Sequence, residues 1–374
     1  VSFTEEAMTL SSKLAPPSNA FFELRRSVTA KLSPYLAPLN IAIIASVAVC
    51  YFIVGRLGLH PGTPNHSVTA IWLPAGISLA AYLLRGNRVW PGVYLGAFLL
   101  SIAITASIPL SLVLAAGNTL AYFVGAALVH KFANGIHAFF KTGDVLRFIF
   151  FGAVIAPALC ATFGVSLLCA SGFAKSADFS TLWFVWWVGD MLGILFLAPF
   201  LVLLLGHKHH SPAPAERLEI TGLVAGLSMM CVLNFGLRPV SWIPGNGFLF
   251  LCAPFLVWAA LRFCPLEAAG ATLIMGGFAT WGSLHGLGPF QNPISLPLFV
   301  GGFMAVGTAM TITIAAANAE QKSATKDVLG MYCVLKDVKE GEIRLLQDTV
   351  ESLQVELSRK ASRRTANSSP EGVS

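Results

Sequence analysis

Apolar residues occur in long blocks along most of this chain, and short polar connections separate the blocks. Ten blocks are present, at 41–57, 68–84, 89–107, 109–129, 145–170, 181–205, 218–237, 248–261, 266–284 and 294–317. Most approach the roughly 20 apolar residues that a helix needs to cross a hydrocarbon core about 30 Å thick. The pattern predicts an all-α, polytopic transmembrane helix bundle of about ten spans. Because several blocks are short, eight spans are the alternative.

Polar segments flank these blocks. Residues 1–40 are polar to amphipathic, and their Phe21-Phe22-Glu-Leu-Arg25-Arg26 stretch predicts an interfacial helix or, equally, a disordered, solvated tail. The blocks themselves predict a membrane domain over 41–319. Residues 320–360 then form a polar, helical region, and residues 361–374 have the composition of a disordered tail.

The region 320–360 carries the seam of a short coiled coil. Its apolar residues step alternately by three and four positions, at Ile343, Leu346, Val350, Leu353 and Leu357. We expect a cytoplasmic signalling helix there, and a homodimer formed through 322–357. A lone amphipathic helix lying on the bilayer or on a partner is the alternative.

Composition and charge fit a membrane protein. Of 374 residues, 55% are hydrophobic and 11% charged, against roughly 25% charged in soluble domains. The net charge of +6 comes from basic residues in short connections, so it indicates topology rather than a nucleic-acid partner. Six of the seven cysteines lie in or beside apolar blocks, where they predict small hydrophobic residues and no disulfide framework.

The distribution of basic residues predicts the orientation. With ten alternating spans, Arg85, Arg88, Arg262 and the basic residues of 131–147 and 208–217 fall on one side. The other side holds only Arg56, Lys175 and Arg238. The positive-inside rule therefore places both termini in the cytoplasm.

Asp190 is the residue around which a functional site is predicted. It lies about 13 Å into its block at 1.5 Å per residue, where an aspartate costs roughly 2.5–3.5 kcal/mol. We expect its carboxyl group to face the bundle interior, with Gly189 and Gly193 allowing close helix approach. The interpretations are a ligand-binding or signal-coupling group and, equally, a structural lock between helices.

Two further blocks place unusual residues at a similar depth. Trp72-Leu-Pro74-Ala-Gly76 predicts a broken helix that frees backbone carbonyls, and Asn118 lies about 13 Å deep at 1.5 Å per residue. With Asp190 they predict the polar floor of a pocket open to the outside, or three unrelated packing sites. Trp183 and Trp187 would wall such a pocket, or belong to an interfacial belt.

Other candidate residues lie nearer the ends of the blocks. Arg262 is expected to extend to the headgroups, and His285 to bind a ligand or simply a hydrogen-bond partner. The His207-Lys208-His209-His210 connection favours a charged linker over a metal site, because no carboxylate or cysteine accompanies it. No motif for catalysis, phosphate binding or zinc binding is found, so neither an enzyme, a cofactor nor a metal is expected.

Six motifs in order resemble the first type of bacterial membrane-associated sensor (MASE) domain, over about 41–319. They are Trp72-Leu-Pro74-Ala-Gly76, Arg88-Val-Trp90-Pro91-Gly92, Gly117-Asn118-Thr119, Trp187-Val-Gly189-Asp190, Trp258-Ala-Ala-Leu-Arg262 and Gly286-Leu-Gly288-Pro289-Phe290. The resemblance implies an input module of the bacterial inner membrane, fused in relatives to histidine kinase, cyclase, phosphodiesterase or PAS domains. The positions of this chain that match the family's motifs include Trp72, Pro74, Gly76, Asn118, Trp187, Asp190 and Arg262, and the resemblance assigns no role to them.

The sequence therefore predicts a membrane sensor that transmits a stimulus through its last span to the cytoplasmic helix. The output domain is expected to be absent or to lie on a partner protein, such as a histidine kinase or cyclase. The expected partners are membrane lipids and an unknown small ligand or membrane protein. The alternatives are a transporter or channel with a mid-membrane site at Asp190, and a scaffold for a transporter partner.

Overall fold

The computed structural model describes residues 38–59, 71–208, 212–236, 249–285, 287 and 295–366. Its helices are α1 Pro38–Leu57, α2 Leu73–Arg85, α3 Trp90–Thr105, α4 Ile108–Phe132, α5 Thr142–Phe148, α6 Ala156–Ala170, α7 Phe179–Gly206, α8 Pro214–Phe235, α9 Ala253–Arg262, α10 Pro265–Leu284 and α11 Ser295–Ala366. A π-helical segment, Ile149–Ile155, joins α5 to α6. Short 3₁₀ turns at Gly86–Val89, Gly135–Phe140, Ser176–Asp178 and Leu249–Cys252 connect or extend other helices.

The all-α bundle predicted from the apolar blocks is confirmed, because every block forms a helix. Within the described residues, seven helical stretches are long and apolar enough to cross a membrane. α9 is shorter than these stretches, since its 10 residues extend only about 15 Å. α10 has 20 residues, but its several glycines and threonines and Glu267 make it less apolar.

The stretch Leu73–Thr105 is long enough for one crossing, but it contains two helices that run in opposite directions. Asn40 of α1 lies beside Arg85 at the end of α2, whereas Tyr51, further along α1, contacts Trp72 at the start of α2. α1 and α2 are therefore antiparallel. α3 runs parallel to α1, because Gly92 meets Ile44 and Gly96 meets Ala48 and Tyr51.

Contacts between the other helices continue this alternation. α7 is parallel to α2 and antiparallel to α10. It is also antiparallel to the segment that ends in α6, because Trp183 contacts Thr162 and Trp187 contacts Val154. α8 and α9 are antiparallel, since Gly226 packs on Phe255 and Glu219 pairs with Arg262. The ends of α2, α7 and α9, and with them Arg85 and Arg262, consequently lie at one end of the bundle.

The chain divides into two compact units, Val1–Ala319 and Glu320–Ser374. In the second unit the described side chains of 320–360 are all exposed, including the apolar seam, where Leu346 is 60% exposed. The helix α11 ends at Ala366, later than the predicted start of a disordered tail at 361. Alanine and arginine are strong helix formers, which explains the longer helix. The predicted interfacial helix near Phe21 lies outside the described residues.

Candidate functional site

Asp190 faces the interior of the bundle, on the first half of α7. Its side chain is 4% exposed, and the Tyr122 hydroxyl on α4 donates a hydrogen bond of 2.7 Å to its Oδ2 atom. Tyr122 is itself fully buried. A buried carboxyl group needs such partners, because an unpaired one carries a large desolvation cost.

Cys160 on α6 connects this pair to Asn118. The Cys160 thiol donates a hydrogen bond to Asn118 Oδ1 (2.8 Å), and its sulfur lies 3.5 Å from the Tyr122 hydroxyl oxygen. It also lies within hydrogen-bonding reach of Asp190. The sequence-based interpretation of Cys160 as a small hydrophobic residue was incomplete, since its apolar neighbours gave no signal of a polar partner.

Tyr51 and Trp72 complete the group. Tyr51 on α1 is 1% exposed, interacts with the Trp72 side chain and lies close enough to Asp190 and Cys160 for electrostatic interaction. The Trp72 backbone N–H, just before α2, donates to the Gly189 carbonyl at 2.8 Å. We call Tyr51, Trp72, Asn118, Tyr122, Cys160 and Asp190 the Asp190 cluster. It joins α1, α2, α4, α6 and α7.

Glycines let α2 and α7 meet beside this cluster. A Cβ atom on Gly193 would overlap the carbonyl oxygen of Trp72, and one on Gly76 would overlap the carbonyl oxygen of Gly193. Both positions therefore require the absence of a side chain. This is the close approach that the sequence predicts for Gly193.

Pro74 does not break a helix, contrary to the sequence-based expectation. α2 begins at Leu73, so Pro74 lies in the first helical turn. At that position a proline costs little, since the first N–H groups of a helix have no partner within it. The Pro74 carbonyl accepts a hydrogen bond from the Ser78 hydroxyl at 2.9 Å.

The open pocket expected at Asp190 is also not observed. The described residues enclose the carboxyl group, because Tyr122 covers it and the Trp72 backbone is bonded to α7 directly beside it. The physical reason is the glycine-mediated contact between α2 and α7, which leaves little space between these helices. Asn118 and Trp72 do lie at the depth of Asp190, as parts of one packed cluster.

The tryptophans pack on α6 and on the π-helical segment rather than around a pocket. Trp183 donates to Thr162 Oγ1 (2.9 Å) and stacks on Trp187 with ring centroids 5.6 Å apart. Trp187 donates to the Val154 carbonyl oxygen at 3.0 Å. These two tryptophans thus hydrogen-bond α7 to α6, which carries Cys160, and to the π-helical segment before it.

Arg262 and His285 lie away from the Asp190 cluster. Arg262, at the end of α9, makes two hydrogen bonds to the Glu219 carboxylate, of 2.7 Å and 3.0 Å. The expectation that it simply extends to headgroups missed this partner on α8, 43 residues earlier. His285 is exposed, and its Nδ1 atom lies 2.9 Å from the Trp281 carbonyl oxygen. In the described part of the chain, no group of three or more His, Cys, Asp or Glu residues is arranged to hold a metal.

Comparisons with known proteins agree with the motifs. The family model described as MASE1 matches residues 41–322. A protein from Escherichia coli (strain K12), described as "Probable diguanylate cyclase DgcE", is 24% identical over 232 residues, which is 60% of this chain and 20% of that protein. The chain thus spans about a fifth of that relative's length. No solved structure gives a significant match.

Proposed function

The chain belongs to the MASE1 family of membrane-associated sensor domains, and from this premise we propose that its Asp190 cluster is the element whose rearrangement reports a stimulus. The observation that carries the proposal is the Tyr122–Asp190 hydrogen bond, buried where α1, α2, α4, α6 and α7 meet. A buried network of hydrogen bonds can have two arrangements. If the helices shift, each buried donor must find a different acceptor, because an unpaired one is costly. A stimulus that favours one pairing would shift the population of the two arrangements.

The stimulus acts, in this proposal, from the outer face or from within the membrane. The ends of α2, α7 and α9, two of which carry Arg85 and Arg262, are then cytoplasmic, as are both termini, in the inner membrane of a bacterial cell. The cluster is closed in the arrangement described here. A small ligand or a membrane partner would therefore act by separating the start of α2 at Trp72 from Gly189 and Gly193 of α7.

Transmission to the last helix is supported by two contacts. Gly301 on α11 packs on Leu192 and Val188 of α7, which flank Asp190. A Cβ atom added to Gly301 would lie 3.3 Å from each of these two side chains. Further along α11, the Asn318 side-chain amide donates to the carbonyl oxygens of Leu261 (2.7 Å) and Ala260 (3.3 Å) at the end of α9. A displacement of α7 would thus reach α11 directly, and α9 holds α11 where the first unit ends.

The output belongs to another domain or protein in this proposal. The membrane domain itself acts as an input module without catalysis, and residues 320–360 pair with a second copy as a coiled coil. The similarity to a probable diguanylate cyclase favours a cyclase as the output partner, with a histidine kinase as the other candidate.

The test uses the pairing of 320–360 as the readout, because it requires no knowledge of the output. Leu346→Cys would be introduced into a chain whose exposed cysteines Cys50, Cys264 and Cys333 are serine, and disulfide cross-linking would be measured in membranes. We expect Asp190→Asn to change the cross-linked fraction with unchanged expression. Asp178→Asn, at the exposed start of α7, is the control.

An unchanged cross-linked fraction in the Asp190→Asn variant would contradict the sensor mechanism. A transporter is the alternative that a mid-membrane carboxyl group supports. Solute flux in proteoliposomes that depends on Asp190 and persists after deletion of 322–374 would establish it instead.

A further inference from the structure

We propose that Arg85 and Arg88 bind the phosphate group of an anionic phospholipid at the end of the bundle where α1 begins. The two arginines line a cavity of about 50 Å³ together with Asn40, Ile43, Ile44 and Val89. Arg85 ends α2, Arg88 lies in the 3₁₀ turn that follows, and the other side of the cavity is formed by the first two turns of α1. A cavity of this size holds about three waters at roughly 15 Å³ each, so phosphate oxygens can enter it.

Arg85 and Arg88 have no acidic residue close to them in the sequence. The sequence contains no aspartate or glutamate from Leu24 through Gly143. At the same end of the bundle, Asp144 pairs with Arg147 at 2.8 Å and Glu219 pairs with Arg262 at 2.7 Å. Among the described residues, neither Arg85 nor Arg88 makes a salt bridge, and both side chains are exposed. Two adjacent guanidinium groups are well suited to phosphate oxygens, to which they donate in pairs.

The surroundings favour a lipid over a free phosphate ion. Leu39 and Ile41 are exposed on α1 beside the cavity, and Trp90 is exposed directly after the turn. An apolar surface with a tryptophan next to arginines is typical of the depth at which headgroups meet acyl chains. A phospholipid whose phosphate is bound here would place its acyl chains against α1. A free phosphate ion would make no use of that apolar surface.

The test is retention of lipid by the full chain. Purified protein in detergent would be incubated with phosphatidylglycerol or phosphatidylcholine, and bound lipid would be counted by native mass spectrometry. We expect phosphatidylglycerol to be retained in preference to phosphatidylcholine. Arg85→Gln with Arg88→Gln should weaken that retention about thirtyfold, the combined effect of two cationic side chains at an anionic lipid.

Matched variants separate a site from general charge. Arg56→Gln with Lys175→Gln removes the same charge from the opposite end of the bundle and should leave retention unchanged. Arg85→Lys with Arg88→Lys keeps the charge but loses the paired donors, so it should keep only part of the retention. Equal loss in the Arg56 and Lys175 double variant would overturn the proposal. So would equal retention of both lipids, or binding of inorganic phosphate at the arginines without retention of phosphatidylglycerol.

Discussion

Asn318 on α11 donates a hydrogen bond of 2.7 Å to the carbonyl oxygen of Leu261 in the last turn of α9. The final carbonyl groups of a helix have no partner within it, so this amide caps α9. The contact lies next to the boundary between the two units at Ala319. In the proposed mechanism it fixes the position of the last span relative to a short neighbouring helix.

Asn318→Ala should loosen the end of α9. Loss of a hydrogen bond of this kind costs about 1 kcal/mol, and the amide protons of 256–262 should exchange faster with deuterium. Ser323→Ala, an exposed position on the same helix, is the control. In the cross-linking assay, Asn318→Ala should also reduce the response to Asp190→Asn. Unchanged exchange at 256–262 would show that the cap contributes nothing.

Tyr122→Phe should destabilise the bundle by about 1–3 kcal/mol, because it leaves a buried carboxyl oxygen without its donor. The measurement is the thermal unfolding midpoint in detergent. Tyr94→Phe removes a hydroxyl whose partner is the Leu112 carbonyl oxygen at 3.3 Å, in a half-buried place, and should have a smaller effect. Equal midpoints for the two variants would mean that Asp190 finds another partner.

Gly193→Ala should prevent the normal packing of α2 on α7. The added methyl group overlaps the Trp72 carbonyl oxygen, which is backbone and cannot turn away. Overpacking of this kind costs about 1–3 kcal/mol or more, and the yield of folded, monodisperse protein should fall. Gly277→Ala, on α10 with nothing within 4 Å of the new atom, should instead be neutral or slightly stabilising. If both variants are equally stable, α2 and α7 are further apart than described.

Leu346→Cys should form a disulfide between two copies of the chain, whereas Leu345→Cys should not. In the heptad defined by Ile343, Leu346 and Val350, position 346 is in the seam and position 345 points outward. Both leucines are exposed in the single chain. Cross-linking yield in membranes, with the exposed native cysteines replaced by serine, distinguishes them. Similar yields from the two positions would favour random collision, or a lone amphipathic helix.

Glu219→Gln and Arg262→Gln should each have a smaller effect on the unfolding midpoint than Tyr122→Phe. Both side chains are substantially exposed, so water and salt screen the ion pair. The coupling energy from a double-mutant cycle should fall further as the salt concentration is raised. A large, salt-independent coupling would mean that the pair is shielded from water by other parts of the protein.

The sequence is sufficient to predict the helices, because each apolar block must satisfy its backbone hydrogen bonds internally in a membrane. It also locates Asp190 and Asn118, since polar residues are conspicuous in apolar surroundings. It does not identify Tyr51, Tyr122 or Cys160, which acquire their role only from neighbours that are distant in the sequence, such as Asp190 for Tyr122, 68 residues later. Pro74 was misinterpreted for a related reason: a proline begins or interrupts a helix according to where the helix starts.

The π-helical segment Ile149–Ile155 sets which face of α6 meets the other helices. Its wider turn accommodates one more residue than an α-helical path, and each residue turns the following helix by about 100°. If the same residues were wound as a regular α-helix, Cys160 would turn by about 100° away from Tyr122, without a change in any residue of the cluster. A single irregular turn thus determines the rotation of the whole α6 helix about its axis, and with it which side chains face the cluster.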